Sequence, residues 1–155
     1  MDLPPDLPLP HDPLGLLDGA EARAAVLIVC CSDDFVTAAA VTPCSPALVL
    51  QTFGGTGDLA DASTRAALEY AIEARGVRHV IVCGHLRCHA VRAARGVDPR
   101  AIARRHALQQ VRRWRHDAVV GRLLDEHGVK VRAVWVDDAD GHVHACDADE
   151  AEALS

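Results

Sequence analysis

Short, uninterrupted runs of apolar residues recur along this chain, separated by longer segments of mixed polarity. A run of this kind predicts a strand that is covered on both faces, which is typical of a parallel sheet. After the last run, the turn-forming sequence DADG leads into a segment that predicts a hairpin-like edge strand. The predicted strands are Ala24–Cys30, Ala47–Gln51, His79–Cys83, Lys130–Asp137 and His142–Cys146.

Helical periodicity occupies the longer segments between these strands. It is clearest in Ser63–Arg75, where a cap candidate, Asp61 or Ser63, precedes apolar residues at helical spacing and Gly76 ends the pattern. Strands that alternate with helices predict an α/β fold, in which helices on both faces flank a central, mainly parallel β-sheet. The other predicted helices are Ala90–Arg95, Pro99–His116 and Ala118–His127.

The chain has 155 residues, which is the size of one ordinary domain. We expect a metal-binding α/β domain to occupy residues 23–148. Residues 1–22 are rich in proline and aspartate and predict an extended arm, whereas the acidic residues 149–155 predict a frayed tail.

Charge and hydropathy argue against several classes of protein. The formal net charge of −6 argues against a general binder of nucleic acids or anionic membranes, so the arginines between Arg92 and Arg115 are interpreted as a solvated helix face. No apolar run approaches the length of a membrane span, and the N-terminal sequence lacks the basic flank and apolar stretch of a secretory signal. We therefore expect a cytoplasmic protein whose six cysteines are reduced.

Three potential metal ligands follow two of the predicted strands. Cys31 comes directly after the first strand, and His85 and Cys88 follow the third. Because parallel sheets bind ligands beyond the carboxyl ends of their strands, the three side chains meet if these strands are neighbours. Two thiolates and one imidazole suit zinc, and a vacant fourth position is typical of a catalytic site. The alternative is that the cysteines pack as small hydrophobic residues, but the placement of all three at strand ends favours the metal site.

Two motifs resemble those of the β-class carbonic anhydrases. CSDDF, from Cys31 to Phe35, resembles the family's C-x-D-x-R motif, and GHLRC, from Gly84 to Cys88, resembles its G-H-x-x-C motif. The intervening STRAALEYAIEARGVRHVIVCGH is similar to the family's helix and strand before the histidine, and the resemblance runs from about Ala24 to Cys146.

The resemblance implies a β-carbonic-anhydrase-like fold that holds Zn²⁺ through Cys31, His85 and Cys88. It implies a lyase that interconverts CO₂ and bicarbonate through a zinc-bound hydroxide, since zinc lowers the pKa of a bound water to about 7. In this reading Asp33 accepts a hydrogen bond from the hydroxide and orients it. The resemblance also implies a homo-oligomer, either a dimer or a tetramer of dimers.

The sequence departs from the family at the arginine that normally pairs with the aspartate, because Phe35 stands in its place. Without that cation Asp33 is left with no competing partner, and we hypothesise that it becomes a fourth zinc ligand in a closed site. Arg87 could supply a replacement cation, although a solvent-facing arginine is the favoured interpretation.

The loop after the second strand also differs, since QTFGG stands where the family often carries R-N-x-G-N. Gly54 keeps the tight backbone, and Phe53 enters beside it. Phe35, Phe53 and Gly54 are therefore predicted to line an apolar substrate pocket, unless the two phenylalanines belong to the core. Such a pocket would suit CO₂, carbonyl sulfide or carbon disulfide.

Three functions compete on the sequence. The first is the zinc lyase, or a close relative that hydrolyses carbonyl sulfide or carbon disulfide. The second is a catalytically impaired zinc-binding homologue with an assembly or regulatory role, which the substitution at Phe35 favours. The third, a thiol redox protein, lacks the C-x-x-C motif such proteins use.

Overall fold

The computed structural model describes residues 26–33, 47–91, 98–137 and 139–146. Several predictions fall on other parts of the chain: the arm over 1–22, the tail over 149–155, most of the helix Ala90–Arg95, and the place of Phe35 all lie outside the described residues. Within the described residues no helix is long and apolar enough to cross a membrane.

The described residues include five strands, β1 (Val26–Cys31), β2 (Ala47–Thr52), β3 (His79–His85), β4 (Lys130–Val136) and β5 (Val143–Ala145). They form one sheet in the spatial order β2-β1-β3-β4-β5. The first four are parallel, and β5 runs antiparallel to β4 as the predicted edge strand. This arrangement confirms the predicted α/β fold with a central, mainly parallel sheet.

The described helices are α1 (Ala62–Glu69), α2 (Pro99–His116) and α3 (Val120–Glu126). The cap of α1 is Asp61, whose carboxylate accepts hydrogen bonds from the Thr64 backbone N–H at 2.8 Å and the Thr64 hydroxyl at 3.0 Å. A π-helical turn over Tyr70–Ala74 extends α1, so the predicted helix is confirmed almost to its expected end.

The sheet buries side chains on both faces, because alternate residues of β1 and β3 fall into two separate apolar clusters. The larger cluster joins the sheet to α1, α2 and α3. It includes Leu27, Val29, Leu68, Val82 and Trp114, each of which is at most 2 % exposed. The smaller cluster, on the other face, contains Val26, Ile28, Cys30, Ile81, Cys83, Val134 and Val136. Cys30 and Cys83 are thus buried in the core, as predicted.

α2 crosses β3 at very short range where Gly84 lies. A Cβ atom at Gly84 would stand 2.5 Å from the carbonyl oxygen of Ala103, a separation that real Cβ atoms essentially never show. Glycine is therefore required for this close approach of helix to strand. The contact fixes α2 against the residue immediately before His85.

Candidate metal centre

The three predicted ligands meet at the carboxyl edge of the sheet. Cys31 ends β1, His85 ends β3, and Cys88 lies in the turn that follows β3. Their ligand atoms all lie within 4.8 Å of one another. The structure therefore confirms the predicted convergence, while the binding of a metal by these residues stays a prediction.

β1 and β3 part from each other before they reach the ligands. The ladder between them covers Val26–Val29 and His79–Val82. Beyond it, β1 remains paired with β2 as far as Cys31, and β3 remains paired with β4 as far as His85. The ligands consequently face each other across a gap between two central strands, where parallel sheets characteristically bind ligands.

The spacing of the two sulfur atoms fits zinc. The Sγ atoms of Cys31 and Cys88 are 3.7 Å apart. Tetrahedral zinc with Zn–S bonds of about 2.3 Å holds two sulfurs roughly 3.8 Å apart. Cys31 and His85 are buried, at 1 % and 4 % exposure, whereas Cys88 is partly exposed. Two thiolates and an imidazole with one accessible side are a donor set that suits a zinc site with an open position.

The pKa of Cys31 is lowered by its hydrogen-bond partners. Burial raises its pKa, but hydrogen bonds from the Asp33 N–H, the His85 side chain, the Gly54 N–H and Cys88 outweigh burial and lower the pKa below its usual range. The two backbone N–H groups lie 3.4 Å (Asp33) and 3.2 Å (Gly54) from Sγ. Hydrogen bonds to the charged form favour that form, and a metal binds the thiolate.

Cys88 behaves in the opposite way. Burial, its largest influence, raises the pKa of Cys88, and the neighbouring Cys31 raises it further. Hydrogen bonds from the backbone N–H groups of Val91 and Ala90 oppose this without reversing it. Cys31 is therefore the more acidic thiol of the pair.

Asp33 pairs with His89, the residue after Cys88. Its Oδ2 atom lies 2.6 Å from Nδ1 of His89 and accepts a second bond from the His89 backbone N–H at 3.3 Å. The ring bond, followed by the backbone bond, lowers the pKa of Asp33. The expectation that Asp33 has no competing partner is therefore wrong, because a histidine 56 residues away supplies one.

The role of Asp33 as a fourth ligand stays a prediction. Asp33 is not among the three residues whose ligand atoms cluster within 4.8 Å. Any move of its carboxylate onto the metal would compete with the two bonds from His89. Arg87, the other candidate cation, is exposed, in line with its favoured interpretation as a solvent-facing side chain.

A pocket opens beside His85 and Cys88. Gly54 and His106 contribute to its wall, and the remainder is largely apolar, with Leu86, Val91, Ile102 and Ala103. Gly54 lines this pocket, and its predicted part in substrate binding stays a prediction. Phe53 is 66 % exposed and does not line this pocket, so the structure gives no support to its predicted place there, and that assignment stays a prediction.

Sequence reasoning did not identify His89 or His106 as functional residues. His89 follows a metal-ligand motif, and this adjacency is the one signal that could have drawn attention to it. His106 lies inside the regular pattern of α2, and its contact with Gly54 crosses 52 residues of sequence. No local pattern marks such a contact.

Comparison with known proteins agrees with the motifs. A family model described as carbonic anhydrase matches residues 26–101. A search of curated proteins finds no significant match. The family resemblance read from CSDDF and GHLRC is therefore confirmed at the level of the family model.

Solved structures agree with the fold. The wild-type β-carbonic anhydrase CafD of Aspergillus fumigatus is 19 % identical with a TM-score of 0.69, and the match covers 80 % of this chain and 90 % of that one. One of two tetrameric β-carbonic anhydrases from Sordaria macrospora is 19 % identical with a TM-score of 0.63, covering 79 % and 81 %. A Coccomyxa β-carbonic anhydrase in complex with acetazolamide is 17 % identical with a TM-score of 0.63, covering 82 % and 74 %. At these identities the likeness establishes the fold.

Proposed function

We propose that this chain is a member of the β-class carbonic anhydrase family and a zinc-dependent lyase that interconverts CO₂ and bicarbonate. The observation that carries the proposal is the convergence of Cys31, His85 and Cys88 in the gap between β1 and β3. Zinc held by these residues supplies the chemistry, because it lowers the pKa of a water that it binds to about 7.

Asp33 is the catalytic carboxylate of this proposal. Its backbone N–H contacts the Cys31 sulfur at 3.4 Å, and its carboxylate is bonded to His89, the residue after Cys88. The lowered pKa keeps it ionised at neutral pH. An ionised carboxylate can accept a hydrogen bond from the attacking water and aim a lone pair of that water at the substrate carbon.

His89 is a positioning residue in this mechanism, since it holds Asp33 through both its ring and its backbone. These two hydrogen bonds to one carboxylate oxygen restrain the carboxylate in the way that a paired cation would. The replacement of the family arginine by Phe35 therefore does not by itself leave Asp33 unrestrained. That restraint supports an active site over a catalytically impaired one.

The pocket supports a small, uncharged substrate. Leu86, Val91, Ile102 and Ala103 offer no charge, while His85 and Cys88 face the same space. CO₂ is linear and apolar and meets this requirement. Carbonyl sulfide and carbon disulfide are similar in shape, so both belong in the assays as competing substrates.

The test combines zinc analysis with stopped-flow CO₂ hydration of the whole chain across pH. Cys88→Ser removes a proposed ligand, and Cys146→Ser is the matched control, because Cys146 is another partly buried cysteine outside the cluster. We expect about one zinc per chain and CO₂ hydration in the wild type, loss of both in Cys88→Ser, and retention of both in Cys146→Ser. Sulfide release from carbonyl sulfide or carbon disulfide is measured in parallel.

Three results would contradict parts of the proposal. Full zinc content in Cys88→Ser overturns the ligand assignment. Zinc without CO₂ hydration in the wild type, together with activity in Phe35→Arg, identifies a catalytically impaired homologue. Sulfide release that exceeds CO₂ hydration reassigns the substrate.

We further propose that the chain forms a homo-oligomer. The strand β2 lies at the edge of the sheet, and two large apolar side chains in or beside it are exposed, Val49 at 46 % and Phe53 at 66 %. An exposed apolar edge strand invites pairing with another chain. Light scattering on the eluting protein should give a mass of two or more chains, and a monomer at micromolar concentration would contradict this.

A further inference from the structure

We propose that His106 is a positioning residue of the metal centre, which fixes Gly54 so that the Gly54 N–H donates to the Cys31 sulfur. This inference rests on the part of the proposed function that makes Cys31 a zinc ligand. It does not depend on which reaction the site performs.

The first step is the contact between α2 and the loop after β2. Nε2 of His106 lies 2.6 Å from the carbonyl oxygen of Gly54, and the contact is partly buried. A carbonyl oxygen accepts, so the hydrogen of this bond belongs to Nε2. The bond therefore requires a donor at the end of the side chain at position 106.

The second step is the conformation of Gly54. Its φ of +82° and ψ of −2° lie in the left-handed region, which favours glycine. One side of its Cα carries the N–H that donates to Cys31 at 3.2 Å, and the other side carries the carbonyl that accepts from His106. Holding the carbonyl limits rotation about ψ, and this rotation would otherwise shift the N–H relative to the sulfur.

The third step is the anchoring of α2 itself. Ala103, one turn before His106, packs its carbonyl against Gly84, the residue before the ligand His85. The same helix therefore contacts the strand that carries His85 and, through His106, the loop that donates to Cys31. The position of α2 couples the two sides of the gap across which the ligands face each other.

The energetic consequence falls on the Cys31 sulfur. The Gly54 N–H contacts this sulfur from outside the coordination sphere of the proposed zinc, and partners of this kind orient metal ligands. Partners that orient metal ligands from outside the coordination sphere typically change metal affinity about 10–100-fold when they are removed. We expect an effect in that range for the loss of the donor at position 106.

The experiment compares three variants of the full chain. His106→Leu removes the donor, and His106→Gln keeps an N–H at a similar distance from the backbone. His116→Leu is the matched control, because Nδ1 of His116 also contacts a carbonyl oxygen, that of Arg112 at 2.8 Å, but at the exposed far end of the same helix. The probes are Zn²⁺, titrated against a chromophoric chelator, and Co²⁺, read by its thiolate-to-metal charge-transfer absorption.

We expect His106→Leu to bind Zn²⁺ about 10–100-fold more weakly and to shift the Co²⁺ charge-transfer band. His106→Gln should restore both to near wild type, and His116→Leu should leave both unchanged. Wild-type affinity and spectrum in His106→Leu would overturn the inference. So would failure of His106→Gln to restore them while its thermal unfolding stays that of the wild type.

The same measurements separate this inference from the proposed function. If the wild type binds Zn²⁺ but does not hydrate CO₂, the proposed reaction is wrong. The metal affinities of the His106 variants then still decide the role of His106. A wild type that binds neither Zn²⁺ nor Co²⁺ overturns the metal centre and this inference together.

Discussion

A methyl group added at Gly84 should weaken zinc binding indirectly, because it would displace α2, the helix that packs against Gly84. The added Cβ would stand 2.5 Å from the Ala103 carbonyl oxygen and 3.2 Å from its carbonyl carbon. Ordinary van der Waals contact requires α2 to retreat by roughly 1 Å. Overpacking of this kind costs about 1–3 kcal/mol. In a domain of this size, about 2 kcal/mol corresponds to a fall in Tm of roughly 4–8 °C.

The same retreat acts on the site. A shift of α2 by roughly 1 Å would stretch the 2.6 Å contact between His106 and the Gly54 carbonyl beyond useful hydrogen-bond length. We therefore expect Gly84→Ala to lower the affinity for zinc roughly tenfold as well as the Tm. Calorimetry of the metal-free protein gives the Tm, and competition with a chelator gives the affinity.

Gly121→Ala is the control for the loss of stability alone. A Cβ at Gly121 would stand 2.5 Å from the Arg115 carbonyl oxygen, an equivalent clash at the opposite end of α2 from the site. We expect a similar fall in Tm with the zinc affinity of the wild type. Equal losses of affinity in the two variants, or an unchanged Tm in Gly84→Ala, would refute the reasoning.

Two further predictions concern protons. Because the pKa of the Asp61 carboxyl is lowered by its bonds to Thr64, its contribution to folding is present above the unfolded pKa, near 4, and is lost as pH falls through the folded value. Asp61→Asn keeps a capping side chain but has no carboxyl group to titrate, so it should lose less stability in acid than the wild type. Urea unfolding between roughly pH 2.5 and 7 measures this, and the same pH dependence in both proteins would contradict it. Zinc binding should release protons from the thiols, so the affinity for zinc should rise with pH, and Cys31, whose pKa is lowered, should ionise at a lower pH than Cys88, whose pKa is raised. Chelator competition across pH measures this affinity, and an affinity that does not change with pH would contradict the prediction.

The strands could be placed from the sequence because buried parallel strands are nearly continuous apolar runs. Their carboxyl ends were less predictable. β3 was expected to end at Cys83, but it continues to His85 because Gly84 and His85 pair with Trp135 and Val136 of β4. A ladder bond of this kind depends on a partner about 50 residues away along the chain, and no local pattern records it. The consequence is functional, since His85 is the last residue of a strand instead of part of a loop.

The ligands could be named from the sequence for a different reason: Cys31, His85 and Cys88 belong to short motifs whose spacing is visible locally. The residues that orient these ligands do not belong to such local motifs. Asp33 and His89 are 56 residues apart, and Gly54 and His106 are 52 residues apart. Each contact depends on the sheet order and on the position of α2, so it follows from the tertiary fold alone. The error over a competing partner for Asp33 came from this source.

The arrangement of the core bears on what the proposed zinc would do for this protein. The ladder between β1 and β3 ends before the proposed ligands, and among the described residues neither apolar cluster contains any of the three. Small zinc domains unfold without metal because the metal replaces a core. Here the core lies behind the gap, and the gap is spanned by the contact between the Cys31 and Cys88 sulfur atoms and by the hydrogen bond between His89 and Asp33. Removal of the proposed zinc should therefore leave the sheet and α2 folded, as expected of a metal with a chemical role and not a structural one.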